Sequence, residues 1–163
     1  MCYEIRQLMV DDWGVFKDLR LYSLKESPHA YGAVYEVAKN YSEDQWRSYL
    51  NQEDGAIFGL FTNEQMIGLC SVRLMDDDKN RAGFYMAYIH PTHRGKGLSS
   101  YLYEARLKWA AQKGVKAVQV DNRARNKAAT AMNKAFGFEL ISSREQEWAD
   151  GTIENKLSFE KKL

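Results

Sequence analysis

Five cationic or titratable side chains and two glycines are concentrated in the segment IHPTHRGKGLSSYLYEARL, between an apolar run and a stretch with helical periodicity. A helix N-terminus presents unpaired backbone N–H groups and the positive end of the helix dipole, and glycines let a bulky anion approach them. The segment therefore predicts an oxyanion site, to which Arg94 and Lys96 add charge and Ser99 a hydroxyl. A solvated turn before a helix is equally compatible with the spacing alone.

Two standard nucleotide-binding loops do not fit this segment. A P-loop carries Ser or Thr directly after its lysine, whereas Gly97 follows Lys96 here. The dinucleotide fingerprint needs a third glycine, and that position is Ser100. The sequence therefore predicts an anion loop of another kind.

The elements around the loop predict an α+β fold in the order βααβββαβαββ. Residues 83–90 form a predicted strand, a helix runs from just past Gly97 to Gly114, and a second strand covers residues 116–122. This crossover makes the fourth and fifth strands parallel inside an otherwise antiparallel sheet. The first predicted helix has an apolar stripe of Val15, Phe16, Leu19 and Tyr22.

The remaining elements come from local signals. A capping box at Ser42 and Gln45 opens the second helix, and AIFGLFT and MIGLCSVRLM form a predicted hairpin. Alanines, Met132 and Phe136 define a helix after the fifth strand, and two strands joined near Gly151 close the chain.

Length and composition bound the protein class. The 163 residues, 45% hydrophobic and with a formal charge of +1, predict one domain over residues 1–163 and no nucleic-acid or membrane partner. Cys2 and Cys70 form no disulfide framework, and no signal peptide or membrane span is evident. We expect a cytoplasmic protein.

The chain resembles the GNAT superfamily of acyl-CoA-dependent N-acetyltransferases. In that family R/Q-x-x-G-x-G/A opens a long helix, and Asn-x-x-Ala and a Gly-Phe pair follow the next strand. Arg94, Gly97 and Ser99 match the first motif, with Ser in place of Gly or Ala, and the second is matched by Asn126, Ala129, Gly137 and Phe138. The similarity extends over nearly the whole chain.

The resemblance implies that acetyl-CoA is the co-substrate. Its pantetheine arm is expected between the splayed ends of the two parallel strands, paired with the backbone of Ile89 near a bulge, and its pyrophosphate on the glycine loop. The residues that the resemblance assigns to the cofactor are Ile89, His90, Arg94, Gly95, Lys96, Gly97, Leu98, Ser99 and Asn126.

The resemblance further implies direct attack of an amine on the thioester, which needs a base for the ammonium and a donor for the CoA thiolate. The family's usual acid is a tyrosine, and this chain has Asn133 there, which donates a hydrogen bond but no proton. Asn133, another tyrosine or water could serve the thiolate. Asp121 is the favoured base, and Tyr85, Tyr88, Glu36 or a water relay remain open.

We therefore predict an N-acetyltransferase that acts on a primary amine of a small molecule or peptide. A non-catalytic or sensory acyl-CoA-binding module is the alternative, and a nucleotide- or nucleic-acid-binding protein is a third reading. The histidines and the Asp76–Asp78 run lack the spacing of a metal site. Tyr31, Tyr35 and Trp46 are candidates for an acceptor pocket or for core, and a homodimer is compatible with the family.

Overall fold

Seven strands form one sheet in the computed structural model, which describes residues 1–163. The strands are β1 (Glu4–Gln7), β2 (Gly55–Thr62), β3 (Gln65–Leu74), β4 (Arg81–Ile89), β5 (Ala117–Arg123), β6 (Glu139–Glu147) and β7 (Ile153–Lys162). Their spatial order is β1-β2-β3-β4-β5-β7-β6. Only β4 and β5 pair in parallel, and every other neighbouring pair is antiparallel.

Five α-helices cover the sheet. They are α1 (Trp13–Glu26), α2 (Tyr35–Ala38), α3 (Glu43–Leu50), α4 (Ser99–Gln112) and α5 (Lys127–Ala135). The predicted element order and the parallel fourth and fifth strands are confirmed, and α2 is an additional single turn. No helix is long and apolar enough to cross a membrane.

The two faces of the sheet carry different cores because successive strand residues point to opposite sides. Ile57 packs with Phe16, Leu24 and Trp46, which places α1 and α3 on one face. On the other face Val118 and Phe159 pack with Tyr103, Trp109 and Ala110 of α4. The functional site must therefore form where these layers leave the sheet edge or a strand end uncovered.

Local signals explain several element boundaries. The turn between β2 and β3 places Asn63 and Glu64 at positive φ of 49° and 64°, the conformation of a two-residue hairpin turn. The predicted capping box is present: Ser42 accepts from the Gln45 N–H, and Gln45 accepts from the Ser42 N–H.

The buried stripe of α1 differs from the predicted one. Phe16 and Leu19 are buried as predicted, whereas Val15 and Tyr22 are each 46% exposed. The buried stripe instead includes Arg20, which is only 6% exposed. A charged residue at a core position gives no hydrophobic signal, so the periodicity placed the face one residue away from its true centre.

Candidate active site

The parallel pairing between β4 and β5 stops halfway along both strands. Arg81 to Phe84 pair with Ala117 to Val120, and the later residues of β4 have no partner in β5. The last three residues of β5 pair only with β7. The carboxyl ends of β4 and β5 therefore separate and leave a gap in the middle of the sheet.

A β-bulge in β4 produces this separation. Ser71 of β3 pairs with Tyr85 and Leu69 pairs with Tyr88, so Met86 and Ala87 together oppose one residue of β3. Met86 has a φ of 58°, a left-handed conformation that is uncommon for a non-glycine residue. The bulge bends the strand away from β5.

The backbone of β4 beyond the bulge offers hydrogen-bonding groups to the gap. His90 donates its N–H to the Ile67 carbonyl of β3. Since alternate strand residues direct their N–H and C=O to opposite edges, those of Ile89 face the gap. The Ile89 carbonyl accepts from Nε of Arg94 at 2.9 Å. The Ile89 N–H remains the donor that an extended ligand could meet.

The loop after β4 presents a series of free backbone donors. Gly95 and Gly97 have φ of 77° and 72°, and nothing lies within 4 Å of the place where either would carry a Cβ. No N–H from residue 95 to residue 99 donates a hydrogen bond to another protein group. These successive donors at the start of α4 form an anion-binding concavity.

The glycine loop has one side chain that packs in the core, Leu98, and one exposed cation, Lys96. Leu98 is buried against Leu60, Ile67 and Leu102, which anchors the loop to the sheet. Lys96 is exposed and has no carboxylate within ion-pair distance. The cation is therefore available to an anion that lies on the free N–H groups.

Arg94 is engaged by protein groups rather than directed into the loop. Its guanidinium lies 3.0 Å from the Glu26 carboxylate of α1 and 5.3 Å from the centre of the Tyr88 ring. Glu26 also accepts from the Tyr88 hydroxyl at 2.9 Å and from Ser27. This cluster of Glu26, Tyr88 and Arg94 ties α1 to the end of β4.

The cluster shifts the pKa values of Glu26 and Tyr88 in opposite directions. Partial burial opposes ionisation of Glu26, but hydrogen bonds from Ser27, Arg94 and Tyr88 outweigh it and hold the pKa of its carboxyl below the usual value. Burial and the hydrogen bond to Glu26 raise the pKa of the Tyr88 hydroxyl. Tyr88 is therefore a bound, protonated phenol and not a free base.

A cavity of about 440 Å³ lies beside the bulge on the α1 face of the sheet. Its volume suits a small molecule or the end of a peptide. Met86 of the bulge and Asp121 of β5 both line it, so it reaches the place where the two strands part. Tyr31 lines it as well, whereas Tyr35 and Trp46 pack in the core on the same face.

Asp121 is the only carboxylate that lines the cavity. Its Oδ1 accepts from Nε2 of Gln119 at 3.1 Å, and Nζ of Lys156 lies 3.8 Å from Oδ2. Tyr85 lines the same cavity, where burial raises the pKa of its hydroxyl. Glu36 does not line the cavity and forms an ion pair with Lys39 on the surface of α2.

Asn133 belongs to a buried polar network on the opposite face of the sheet. It is 1% exposed, its Oδ1 accepts from the Tyr103 hydroxyl at 2.5 Å, and its Nδ2 donates to Oδ1 of Asn122 at 2.9 Å. Asn122 in turn donates to Thr130. Both ends of the Asn133 amide are engaged, which favours a supporting role for this residue.

Asn126 and His90 complete the set of predicted cofactor residues. Asn126 caps α5 by accepting from the Ala129 N–H, which leaves its Nδ2 free to donate. The His90 ring stacks on Tyr22 at 5.0 Å and its Nδ1 contacts the Thr92 hydroxyl. His90 therefore shapes the loop with its ring and pairs with β3 through its backbone.

The sequence of residues 6–138 matches the Acetyltransferase (GNAT) family. The chain belongs to this GNAT family. The match includes β4, the glycine loop, α4 and β5, which are the elements that create the gap and the anion-binding loop.

Known GNAT proteins resemble the chain in sequence and in fold. Streptothricin acetyltransferase of Escherichia coli is 27% identical over 90 residues, a match that covers 55% of this chain and 51% of that protein. The chain therefore aligns with about half the length of this relative.

Solved structures agree along nearly the full length. An acetyltransferase of the GNAT family from Streptococcus pneumoniae superposes with a TM-score of 0.85 at 17% identity, covering 99% of this chain and 100% of that one. The yncA protein of Salmonella typhimurium, solved with its cofactor acetyl-CoA, superposes with a TM-score of 0.83 at 16% identity. This match covers 100% of this chain and 95% of the yncA chain. These likenesses establish the GNAT fold.

Several residues of the site had no signal in the sequence. Glu26 precedes Ser-Pro at a helix end and looks like a surface residue, yet it holds Arg94. Arg20 and Arg123 line the cavity although each belongs to an element with an apolar pattern. Trp148 and Asp150 near the last turn approach β5 through Arg123. Their positions depend on tertiary contacts between distant elements.

Replacing Asn133 tests the buried network. Asn133→Ala leaves the Tyr103 hydroxyl without its acceptor and Oδ1 of Asn122 without its donor, so we expect the free energy of unfolding to fall by about 2 kcal/mol. Urea denaturation measures the change. Lys134→Ala, exposed on the same helix, should stay within about 0.5 kcal/mol of the wild type. Equal stability of Asn133→Ala and the wild type would contradict the network.

The Glu26 carboxyl predicts a pH dependence of stability. Its pKa is lower in the folded protein, so the cluster stabilises the fold above the unfolded-state value of about 4.3 and this contribution is lost as the pH falls through the folded pKa. Melting temperatures of Glu26→Gln should lie below those of the wild type at pH 7 and converge with them below about pH 4. Glu104→Gln, exposed on α4, is the control and should follow the wild type throughout. A difference in melting temperature between Glu26→Gln and the wild type that stays constant from pH 7 to below about pH 4 would contradict the stabilising role of the Glu26 carboxylate.

Proposed function

We propose that the chain transfers an acetyl group from acetyl-CoA to a primary amine by direct attack in a ternary complex. One observation carries the proposal: the gap between β4 and β5 opens at a cavity that contains a carboxylate, and a row of free N–H groups follows the end of β4. When bound, acetyl-CoA supplies an activated acetyl thioester. Family membership and the fold of the acetyl-CoA complex of yncA support this assignment.

The residues present fit this co-substrate. The N–H groups of residues 95–99 and the exposed Lys96 would hold the pyrophosphate, with Gly95 and Gly97 giving it access. The Ile89 N–H would pair with the extended arm, and Nδ2 of Asn126 would donate from the start of α5. Arg94 contributes indirectly. Glu26 already neutralises its charge, and its bonds to Glu26 and to the Ile89 carbonyl fix the start of the loop.

Asp121 is the base in this proposal. It is the carboxylate of the cavity, at the point where β5 leaves β4, so it can accept a proton from an ammonium that enters there. The Gln119 amide fixes its orientation. Tyr85 is less suited to accept a proton, because burial raises the pKa of its hydroxyl. The resulting free amine is the nucleophile.

The departing thiolate requires stabilisation by other groups. We assign Asn133 as a positioning residue that keeps Asn122 and Tyr103 in place behind the gap. This arrangement contains no tyrosine at the family's acid position. The absence of this tyrosine is the observation that favours a second candidate function, a non-catalytic acyl-CoA-binding module. CoA release over a panel of amines separates the two: tight acetyl-CoA binding without amine-dependent release would favour the module.

Gly97→Ala tests the pyrophosphate site. An added methyl both strains a residue at φ of 72° and enters the space over the free N–H groups, so we expect acetyl-CoA affinity to fall at least about tenfold. Gly114→Ala is a matched control, because Gly114 has a φ of 73° with similar open space but lies beyond the end of α4. Calorimetric titration of both variants measures the difference. Equal affinities would place the pyrophosphate elsewhere.

Asp121→Asn tests the proposed base. Loss of the proton acceptor should lower kcat by about 10²- to 10⁴-fold with little change in the KM for acetyl-CoA. The deficit should narrow as the pH approaches the pKa of the amine, about 10, because more acceptor is already neutral. Asp77→Asn, which is exposed and outside the cavity, is the control. A kcat within about threefold of the wild-type value would indicate a water relay instead.

A further inference from the structure

Arg20 is a buried cation directed into the acceptor cavity without a counter-ion. It extends from the buried face of α1, is 6% exposed and lines the cavity beside Tyr31 and Tyr49. Its Nη1 is buried and has no hydrogen-bond partner in the protein. Its only evident stabilising contact is the Tyr31 ring, whose centre lies 4.7 Å from the guanidinium carbon.

The other cations that line the cavity all have acidic neighbours. Arg73 pairs with Asp76 at 2.9 Å, Arg123 pairs with Asp150 at 3.2 Å, and Lys156 lies 3.8 Å from Asp121. Arg20 has no carboxylate within 4 Å. Arg20 is thus the cavity cation whose charge the protein leaves uncompensated.

An uncompensated buried charge is costly, and this one lies where a ligand could compensate it. We propose that Arg20 binds an anionic group of the acceptor, so that the acceptor is a small amine that also carries a carboxylate or another oxyanion. This inference rests on the proposed function and specifies its substrate class. A planar guanidinium with free N–H groups matches an oxyanion by charge-assisted hydrogen bonds.

The rest of the cavity fits such a molecule. Asp121 offers a negative group to the ammonium at the other end, because α1 packs against β3 whereas Asp121 is on β5, two strands away in the sheet. Aromatic residues also line the cavity, namely Tyr31, Tyr49, Tyr85 and Trp148. A compact amine with an apolar body and an anionic end is complementary to this surface.

Pairs of amines that differ only in a carboxylate test the inference. L-phenylalanine is compared with 2-phenylethylamine, and L-lysine with 1,5-diaminopentane, by CoA release at saturating acetyl-CoA. The ratio of kcat/KM within each pair is the readout. We expect the wild type to favour the carboxylate-bearing member of at least one pair. We further expect Arg20→Met to lower that ratio about 10- to 100-fold, the value of a hydrogen-bonded charge.

Two variants control for general effects of the substitution. Arg20→Lys keeps the positive charge but loses the planar set of guanidinium N–H donors. Its kcat/KM ratio should therefore lie between those of the wild type and Arg20→Met. Arg47→Met removes another arginine that lies over an aromatic ring, that of Trp13, but it does not line the cavity. Its ratio should equal that of the wild type. The ratio within one enzyme cancels differences in the folded fraction, and comparing that ratio between enzymes cancels the difference in basicity between the two amines.

A binding measurement keeps the inference testable without turnover. N-acetyl-L-phenylalanine and N-acetyl-2-phenylethylamine are titrated into wild-type protein saturated with CoA. Tighter binding of the acid, lost in Arg20→Met or reduced in Arg20→Lys, supports the inference. Equal binding of both ligands, or ratios that Arg20→Met leaves unchanged, overturns it. Amine-dependent CoA release without a carboxylate preference would overturn this inference alone, whereas absence of release with every amine would count against the proposed function.

Discussion

The interruption of backbone pairing between β4 and β5 is the constraint on which the site depends. A two-residue bulge at Met86 and Ala87 turns β4 after four paired residues, and β5 then continues beside β7 alone. Closing the gap would pair the Ile89 backbone with β5 and cover the entrance to the cavity. The bulge, with its positive φ at Met86, is a local cost that opens a binding surface in the middle of a sheet.

Buried or partly buried polar contacts on both faces of the sheet hold the elements around the gap. Glu26 joins α1 to Arg94 and Tyr88 on one face, and Asn133 joins α4, α5 and β5 on the other. Each of these groups would be costly if left unpaired, so they fix the geometry of the strand ends. Arg20 differs because its charge is buried without a protein partner. Glu26 and Asn133 therefore support the site, whereas Arg20 is the residue proposed to bind a ligand.

The sequence could predict the element order, the parallel crossover and the position of the glycine loop, because periodicity, capping residues and glycines act locally. It placed Asp121 at the end of β5 for the same reason. It could not predict the roles of Arg20 or Glu26, since an arginine on an apolar helix stripe and a glutamate at a helix end give no hydrophobic signal. Both depend on what α1 meets across the sheet.

The same limit applied to Asn133. Its motif position suggested contact with the thiolate, whereas its burial and hydrogen bonds depend on Tyr103 from α4 and Asn122 from β5. Motif spacing identifies a position on a helix but not the rotation of that helix against its neighbours. The sequence defined α5 by its alanines, Met132 and Phe136, whereas the residue that α5 buries is Asn133.

In the proposed function, the free N–H groups of the glycine loop and the gap between β4 and β5 bind acetyl-CoA together. A crystal structure of the complex tests it most directly. We expect pyrophosphate oxygens within hydrogen-bonding distance of the N–H groups of residues 95–99, at about 2.7–3.2 Å, and the pantetheine arm paired with the Ile89 N–H. A pyrophosphate bound away from this loop, or an arm outside the gap, would contradict it.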